Sequence, residues 1–240
     1  AVVITGGNSM FANGTIDTIK EYLHCQEDNI LICAGVSKNP TKDTVEKLLS
    51  EMNNFQPDLI IAVGGGSAID AAKAALLFYE YPDINFDNVE SKALPQNRQK
   101  TTFIAIPSTS GTGSEVTHVT VITYPERKYK VAIRSDALRP DIAILDAELT
   151  LSLPPKIAAE TGMDALTHAI ESYINKNGDE ITQSLTKAAI LGIIKWLPTS
   201  YSEGSLESRQ KLHIYQCMAG MGFANSGLGM VHGVSHAFGG

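Results

Sequence analysis

The sequence predicts an α/β protein in two parts: an open, mostly parallel Rossmann-like sheet with a β-hairpin over residues 1–150, and an all-helical region over 151–240. Three observations predict it. Short apolar runs alternate with helically periodic segments through the first part, the pattern of βαβ units. Turns rich in glycine and hydroxyl groups follow two of those runs directly. Beyond about residue 150 the apolar period is helical throughout, with no strand pattern.

In order, "AVVIT" (1–5) reads as a short buried strand, closed by the turn "GGNS" (6–9). Ile16, Ile19 and Leu23 then recur at helical spacing. "NILICAG" (29–35) is a second strand, and "TKDTVEKLLSEM" (41–52) a helix capped by Thr41 after Asn39-Pro40. "DLIIAV" (58–63) is apolar throughout, as a parallel strand covered on both faces is. "GGGS" (64–67) follows, then the alanine-rich helix "AIDAAKAALLFY" (68–79). Residues 81–100 are polar, carry Pro82 and Pro95, and read as a surface loop. "TTFIAIP" (101–107) is a strand, "VTHVTVITY" (116–124) and "KYKVAIR" (128–134) form a hairpin across "PER", and "DIAILD" (141–146) is a further short strand. "LSLPP" (151–155) puts proline where helices begin, and helical periods run through 163–174, 181–197 and 207–224.

The net charge is -7 and the basic residues are scattered, which argues against a nucleic-acid or anionic-membrane binder. No apolar run reaches transmembrane length. Cys25, Cys33 and Cys217 are odd in number and lack CxxC spacing, which fits reduced thiols in a cytoplasmic protein better than a disulfide framework or a zinc knuckle. The chain opens on a strand and stops beside a helix, so it is expected to be cut from a longer protein at both ends.

Two loops carry candidate chemistry. In "VGGGSAID" (63–70), glycines between a strand and a helix let a ligand approach the backbone, and the helix start favours a phosphate. Ser67 reads as the N-cap, with Asp70 three residues on as in a capping box. The plainer reading is a tight turn and a cap, since neither GxGxxG nor the Walker pattern is present. "PSTSGTGSE" (107–115) is a second such loop, and loops that follow parallel strands share the sheet edge where ligands bind. In the helical part, Asp164 and His168, and again His232 and His236, stand four residues apart, so each pair can face one ion. Carboxylate and imidazole suit iron(II) or zinc. The alternative is a first-turn charge and separately buried imidazoles. His24, His118 and His213 lack such a partner and read as structural or surface residues.

"GGGSAID", "PSTSGTGSEVT", "LPPKIAAETGMDALTHAIESYI" and "GLGMVHGVSHAFGG", in this order and spacing, resemble the iron-containing (group III) alcohol dehydrogenase family, in its butanol-dehydrogenase-like branch. The resemblance covers essentially the whole chain. It implies a dinucleotide-binding domain over 1–150 and an incomplete helical metal and substrate domain over 151–240, in a dehydroquinate synthase-like architecture. It implies reversible hydride transfer between a primary alcohol or aldehyde and a nicotinamide cofactor. Gly65, Gly66, Ser67 and Asp70 match the pyrophosphate and nicotinamide contacts, Ser108, Thr109 and Thr112 the second nucleotide loop, and Lys130 a lysine near the ribose. Asp164, His168 and His232 match three metal ligands, and His236 a histidine close to nicotinamide and substrate, suited to positioning or proton relay. The family's fourth ligand is a histidine farther along than Gly240.

NAD-preferring members often carry aspartate after the first strand, where this chain has Gly6, followed by Gly7. A carboxylate there repels a 2′-phosphate and glycine does not, so NADP(H) is favoured over NAD(H), with Fe2+ as metal and Zn2+ admissible. Met163 and Val234 beside the ligands suggest a small apolar substrate pocket. The resemblance further implies a small alcohol or aldehyde as substrate, no nucleic-acid or membrane partner, and homo-oligomeric assembly. The rival readings are a glycerol-dehydrogenase-like zinc polyol enzyme and a nucleotide-binding but catalytically incomplete fragment.

Overall fold

The computed structural model describes residues 1–24 and 26–238, so the expectation for Cys25 lies outside the described residues. The described residues form two compact units: Ala1–Ile106 with His118–Ile144, and Pro107–Thr117 with 145–238.

The first unit begins with β1 (Val2–Thr5), whose four residues are all buried. A four-residue helix α1 (Ser9–Ala12) follows, where only a turn was expected, then α2 (Thr15–Leu23), β2 (Leu31–Cys33), α3 (Lys42–Phe55), β3 (Leu59–Gly64), α4 (Gly66–Glu80) and β4 (Thr102–Pro107). The hairpin β5 (Val119–Tyr124) and β6 (Tyr129–Arg134) and the short β7 (Ile142–Ala143) complete it. The main sheet has the order β2-β1-β3-β4-β7. β1 pairs in parallel with β2 and β3, and β4 with β7, as the alternating pattern requires.

Thr41 caps α3 through its side chain, which accepts from the Thr44 N–H. α4 is buried from Ala71 to Glu80, and its small alanines let it lie close against the sheet. The capping box expected at its start does not form. Gly65 in extended backbone is the N-cap, so Ser67 already lies inside the first turn, where it cannot cap. Its hydroxyl instead accepts from the Asn39 N–H at 3.3 Å. Asp70 binds the hairpin: its carboxylate accepts from the Val121 N–H at 3.0 Å and its carbonyl from the Thr120 hydroxyl at 2.7 Å. Val116, expected in a strand, lies in a 3-10 turn over Ser114–Val116.

Residues 81–100 hold no helix or strand, as predicted, yet they are not merely a surface loop. Ile84, Phe86 and Val89 are buried, and Phe86 meets Phe78 and Tyr124 edge-on at 4.8 and 5.4 Å between ring centroids. The buried Glu80 carboxylate ties down the loop's far end, accepting from the N–H groups of Gln99, Lys100 and Thr101 and from the Thr101 hydroxyl. Burial raises the pKa of this carboxyl, but those hydrogen bonds prevail and hold it below the usual range. Its stabilisation is therefore present above the unfolded carboxyl pKa and is lost as pH falls through the depressed folded value. Glu80→Gln, which replaces half the acceptor with a donor, is expected to destabilise this unit by about 1–3 kcal/mol in urea unfolding at neutral pH, and by less in acid.

The second unit is helical: α5 (Pro155–Tyr173), α6 (Glu180–Ser202), α7 (Leu206–Ser226) and α8 (Met230–Phe238). α5 starts at Pro155, where "LSLPP" puts a helix start, because proline at the first position supplies the fixed φ of a helix start, and it runs on through the 163–174 period to Tyr173. α5, α6 and α7 pack on one another around Ala165, Ala169, Ala189, Ile193, Leu212 and Ala219. Cys33 and Cys217 are buried free thiols. Among the described residues, no helix is long and apolar enough to cross a membrane.

Candidate metal centre and nucleotide loops

α5 puts Asp164 and His168 one turn apart, and α8 brings in His232. The His168 Nε2 lies 3.9 Å and the His232 Nε2 3.4 Å from the Asp164 Oδ1. The two imidazoles stack with centroids 4.3 Å apart, and one donor atom from each of the three residues falls within 4.8 Å of the others.

The tautomers follow from what the other ring nitrogens meet. The His168 Nδ1 lies 3.2 Å from the Gly111 carbonyl oxygen. A carbonyl only accepts, so Nδ1 carries the hydrogen and Nε2 keeps its lone pair. The His232 Nδ1 lies 2.5 Å from the Glu171 Oε2, with the same consequence. With both rings neutral, two imidazole lone pairs and a carboxylate oxygen thus converge with no donor hydrogen between them. That arrangement suits a divalent cation, and the N,N,O donor set is one that Fe2+ or Zn2+ takes.

The electrostatics divide the two rings. Burial holds His168 down at about 4, with Phe223 stacked on it at 4.5 Å. Burial also disfavours the charged form of His232, but the Asp164 and Glu171 carboxylates outweigh it and raise its pKa. Burial of Glu171 is in turn outweighed by hydrogen bonds from His232 and from the Gly229 and Val231 N–H groups, which lower its pKa.

Not every expected residue joins this centre. His236 is one turn beyond His232, edge-on to it at 6.1 Å between centroids, and is not in the donor group. The structure therefore does not bring both histidines of α8 to one ion. Met163 and Val234, expected to line an apolar pocket, are about half exposed.

The predicted nucleotide residues fall in both units. In the first, Gly6 and Gly7 follow β1, and Gly65, Gly66 and Ser67 follow β3, its parallel neighbour. Gly64, at φ 151°, turns the chain there, and a Cβ on it would stand 3.7 Å from the Gly6 nitrogen, so the two turns meet backbone to backbone. Asn39 joins two further candidates: its N–H donates to Ser67, and its side-chain oxygen accepts from the Lys130 Nζ at 3.2 Å. Asp70 is held by the hairpin.

In the second unit, Ser108, Thr109 and Thr112 lie on the loop Pro107–Thr117, where Thr112 accepts from the Ser114 N–H at 3.3 Å. This same loop supplies the Gly111 carbonyl that orients His168. α7 pins it: the Ser110 hydroxyl bonds the His213 Nδ1 at 2.9 Å, and Gln216 accepts from the Gly113 N–H while donating to Glu115. His213 is thus a buried structural residue.

Sequence reasoning missed Gln216 and Glu171. Glu171 had a signal, since it stands seven residues after Asp164 and three after His168, on the same helical stripe.

Known proteins decide the family. The family model described as iron-containing alcohol dehydrogenase matches residues 1–147, and its C-terminal counterpart matches 158–240. The chain belongs to the iron-containing alcohol dehydrogenase family. An NADPH-dependent butanol dehydrogenase of Clostridium saccharobutylicum is 43% identical over 240 residues, all of this chain and 62% of that protein. A 1-propanol dehydrogenase of Salmonella typhimurium is 38% identical over 94% of this chain and 57% of its own length. Among solved structures, an iron-containing alcohol dehydrogenase of Thermococcus thioreducens superposes with a TM-score of 0.89 at 36% identity, covering 98% of this chain and 63% of that one. A sulfoacetaldehyde reductase of Bifidobacterium kashiwanohense, in complex with NAD+, superposes equally well at 0.89, with 32% identity over 98% of this chain and 62% of that one. The chain therefore spans about three fifths of the length of these iron-containing alcohol dehydrogenases and their kin.

Proposed function

We propose that this chain carries the nucleotide loops and three metal ligands of a metal-dependent, NAD(P)-linked alcohol dehydrogenase or aldehyde reductase. Residues 1–150 take the dinucleotide, and 151–240 the metal and the small alcohol or aldehyde. The observation that carries the reading is the convergence of Asp164, His168 and His232, with both imidazoles presenting Nε2 lone pairs. A divalent ion bound there supplies Lewis acidity toward the substrate oxygen, and the nicotinamide supplies or accepts the hydride.

The protein's own part is positioning. Gly6, Gly7, Gly65 and Gly66 leave room for the dinucleotide backbone, and the start of α4 favours its phosphates. Ser67, Asp70, Ser108, Thr109, Thr112 and Lys130 are the remaining cofactor contacts. Asp164, His168 and His232 hold the metal, and His236 orients substrate or relays a proton. The working form is a cytoplasmic homo-oligomer, whose mass light scattering measures.

NADP(H) is the favoured cofactor. Gly6 places no carboxylate against a 2′-phosphate, and the butanol dehydrogenase relative is named for NADPH. The position accepts a side chain, since a Cβ on Gly6 meets only the Val36 carbonyl oxygen, at an ordinary 3.5 Å. Gly6→Asp is therefore expected to fold normally and to shift the NADPH/NADH preference toward NADH by about 10–100-fold, through like-charge repulsion of the phosphate. Steady-state kinetics with both cofactors measure it.

The test of the function is NADPH oxidation with butanal after anaerobic loading with Fe2+, beside NADH and metal-free samples. The reading predicts metal-dependent turnover, faster with NADPH. Turnover of equal rate without metal contradicts it.

A further inference from the structure

We infer that Glu171 is the positioning residue for the metal centre, fixing the tautomer and place of His232 by accepting two hydrogen bonds from α8 at once. The inference rests on the metal reading of Asp164, His168 and His232, and it adds a residue outside that ligand set.

Glu171 is buried, at 6% exposed, near the end of α5. Its Oε2 takes the His232 Nδ1 at 2.5 Å, and its Oε1 takes the Val231 N–H at 2.6 Å. Val231 is the second residue of α8, so its N–H is one of the donors that a helix leaves unmatched at its start. One carboxylate thus satisfies the start of the helix and the imidazole that the helix presents. Gly229 lets this happen: a Cβ there would come within 2.8 Å of the Glu171 Oε1. The other link from α5 to α8 is the approach of the His232 Nε2 to the Asp164 Oδ1 at 3.4 Å, on the side of the ring that faces the candidate metal position.

Every partner of Glu171, the His232 ring and the Gly229 and Val231 N–H groups, is a donor, and this decides which side chains can replace it. A carboxylate accepts from all of them. An amide accepts through its oxygen alone and opposes the donor on its other side with its own N–H. Glu171→Gln has nearly the same shape, so a packing role tolerates it. A positioning role does not: the amide either frees the start of α8 or donates to the His232 Nδ1. In the second case the ring's hydrogen moves to Nε2, the atom facing Asp164, and the lone pair for the metal is gone.

Two measurements test this. Zinc or cobalt(II) titration of the metal-free chain should show affinity falling about 10–100-fold in Glu171→Gln, the usual range for losing a residue that orients a ligand, with the far-UV helical signal unchanged. Nitrogen-15 imidazole spectra of the wild-type metal-free chain, taken at alkaline pH where the ring is neutral, should show His232 with its hydrogen on Nδ1. This second measurement needs no variant, no metal and no turnover. Unchanged metal affinity in a folded Glu171→Gln, or a His232 hydrogen on Nε2 in the wild type, overturns the inference. If both results are as expected while butanal reduction fails, the dehydrogenase reading falls and Glu171 keeps its role.

Discussion

On the proposed function, His168→Ala is expected to abolish tight metal binding and to lower aldehyde reduction by about a thousandfold, the rate equivalent of roughly 4 kcal/mol of lost charge stabilisation. His168 is 6% exposed and stacked between Phe223 and His232, so the change also opens a small cavity. It leaves the Gly111 carbonyl without its imidazole donor, a further cost of about 1–3 kcal/mol in stability. Asp164→Asn separates the two effects. Its side chain is 40% exposed, so the substitution costs little stability while removing the one charged donor to the metal. Metal titration and thermal melting of both variants check the pair: both lose the ion, and only His168→Ala melts earlier.

Gly113→Ala is expected to have the largest effect on stability. Gly113 has φ 62°, in the left-handed region, where a non-glycine residue costs about 1–2 kcal/mol. A Cβ there would also stand 2.7 Å from the Gly220 Cα, a backbone atom of α7 that cannot step aside. Overpacking of that kind costs about 1–3 kcal/mol more. Together they give about 3 kcal/mol, enough to lower the melting temperature by several degrees. The loop Pro107–Thr117 then lifts from α7, taking the Gly111 carbonyl away from His168, so metal affinity falls too. Gly7→Ala is the control. Nothing lies within 4 Å of a Cβ there, and the change is expected to be neutral or slightly stabilising.

What the sequence made legible was local. The apolar run of β3 followed by glycines and an alanine-rich segment is readable because each residue's role depends on near neighbours. Asp164 and His168 are readable for the same reason, since four residues along a helix is one turn. The start of α4 was misjudged by two residues because a glycine in extended backbone caps as a serine would, and the serine looked the better cap. The supports of the centre were not legible. The His168 bond to Gly111 spans 57 residues, the His232 bond to Glu171 spans 61, and the Ser110 bond to His213 spans 103. No local period records such pairs, and of the donor set only the resemblance joined His232 to Asp164 and His168.

The central claim is that these three side chains hold one metal ion. Anaerobic titration of the metal-free chain with cobalt(II), followed by its ligand-field absorption, addresses it without requiring turnover. The account predicts saturable binding of one ion per chain, lost in Asp164→Asn, His168→Ala and His232→Ala alike. Binding that persists unchanged in those three variants contradicts it.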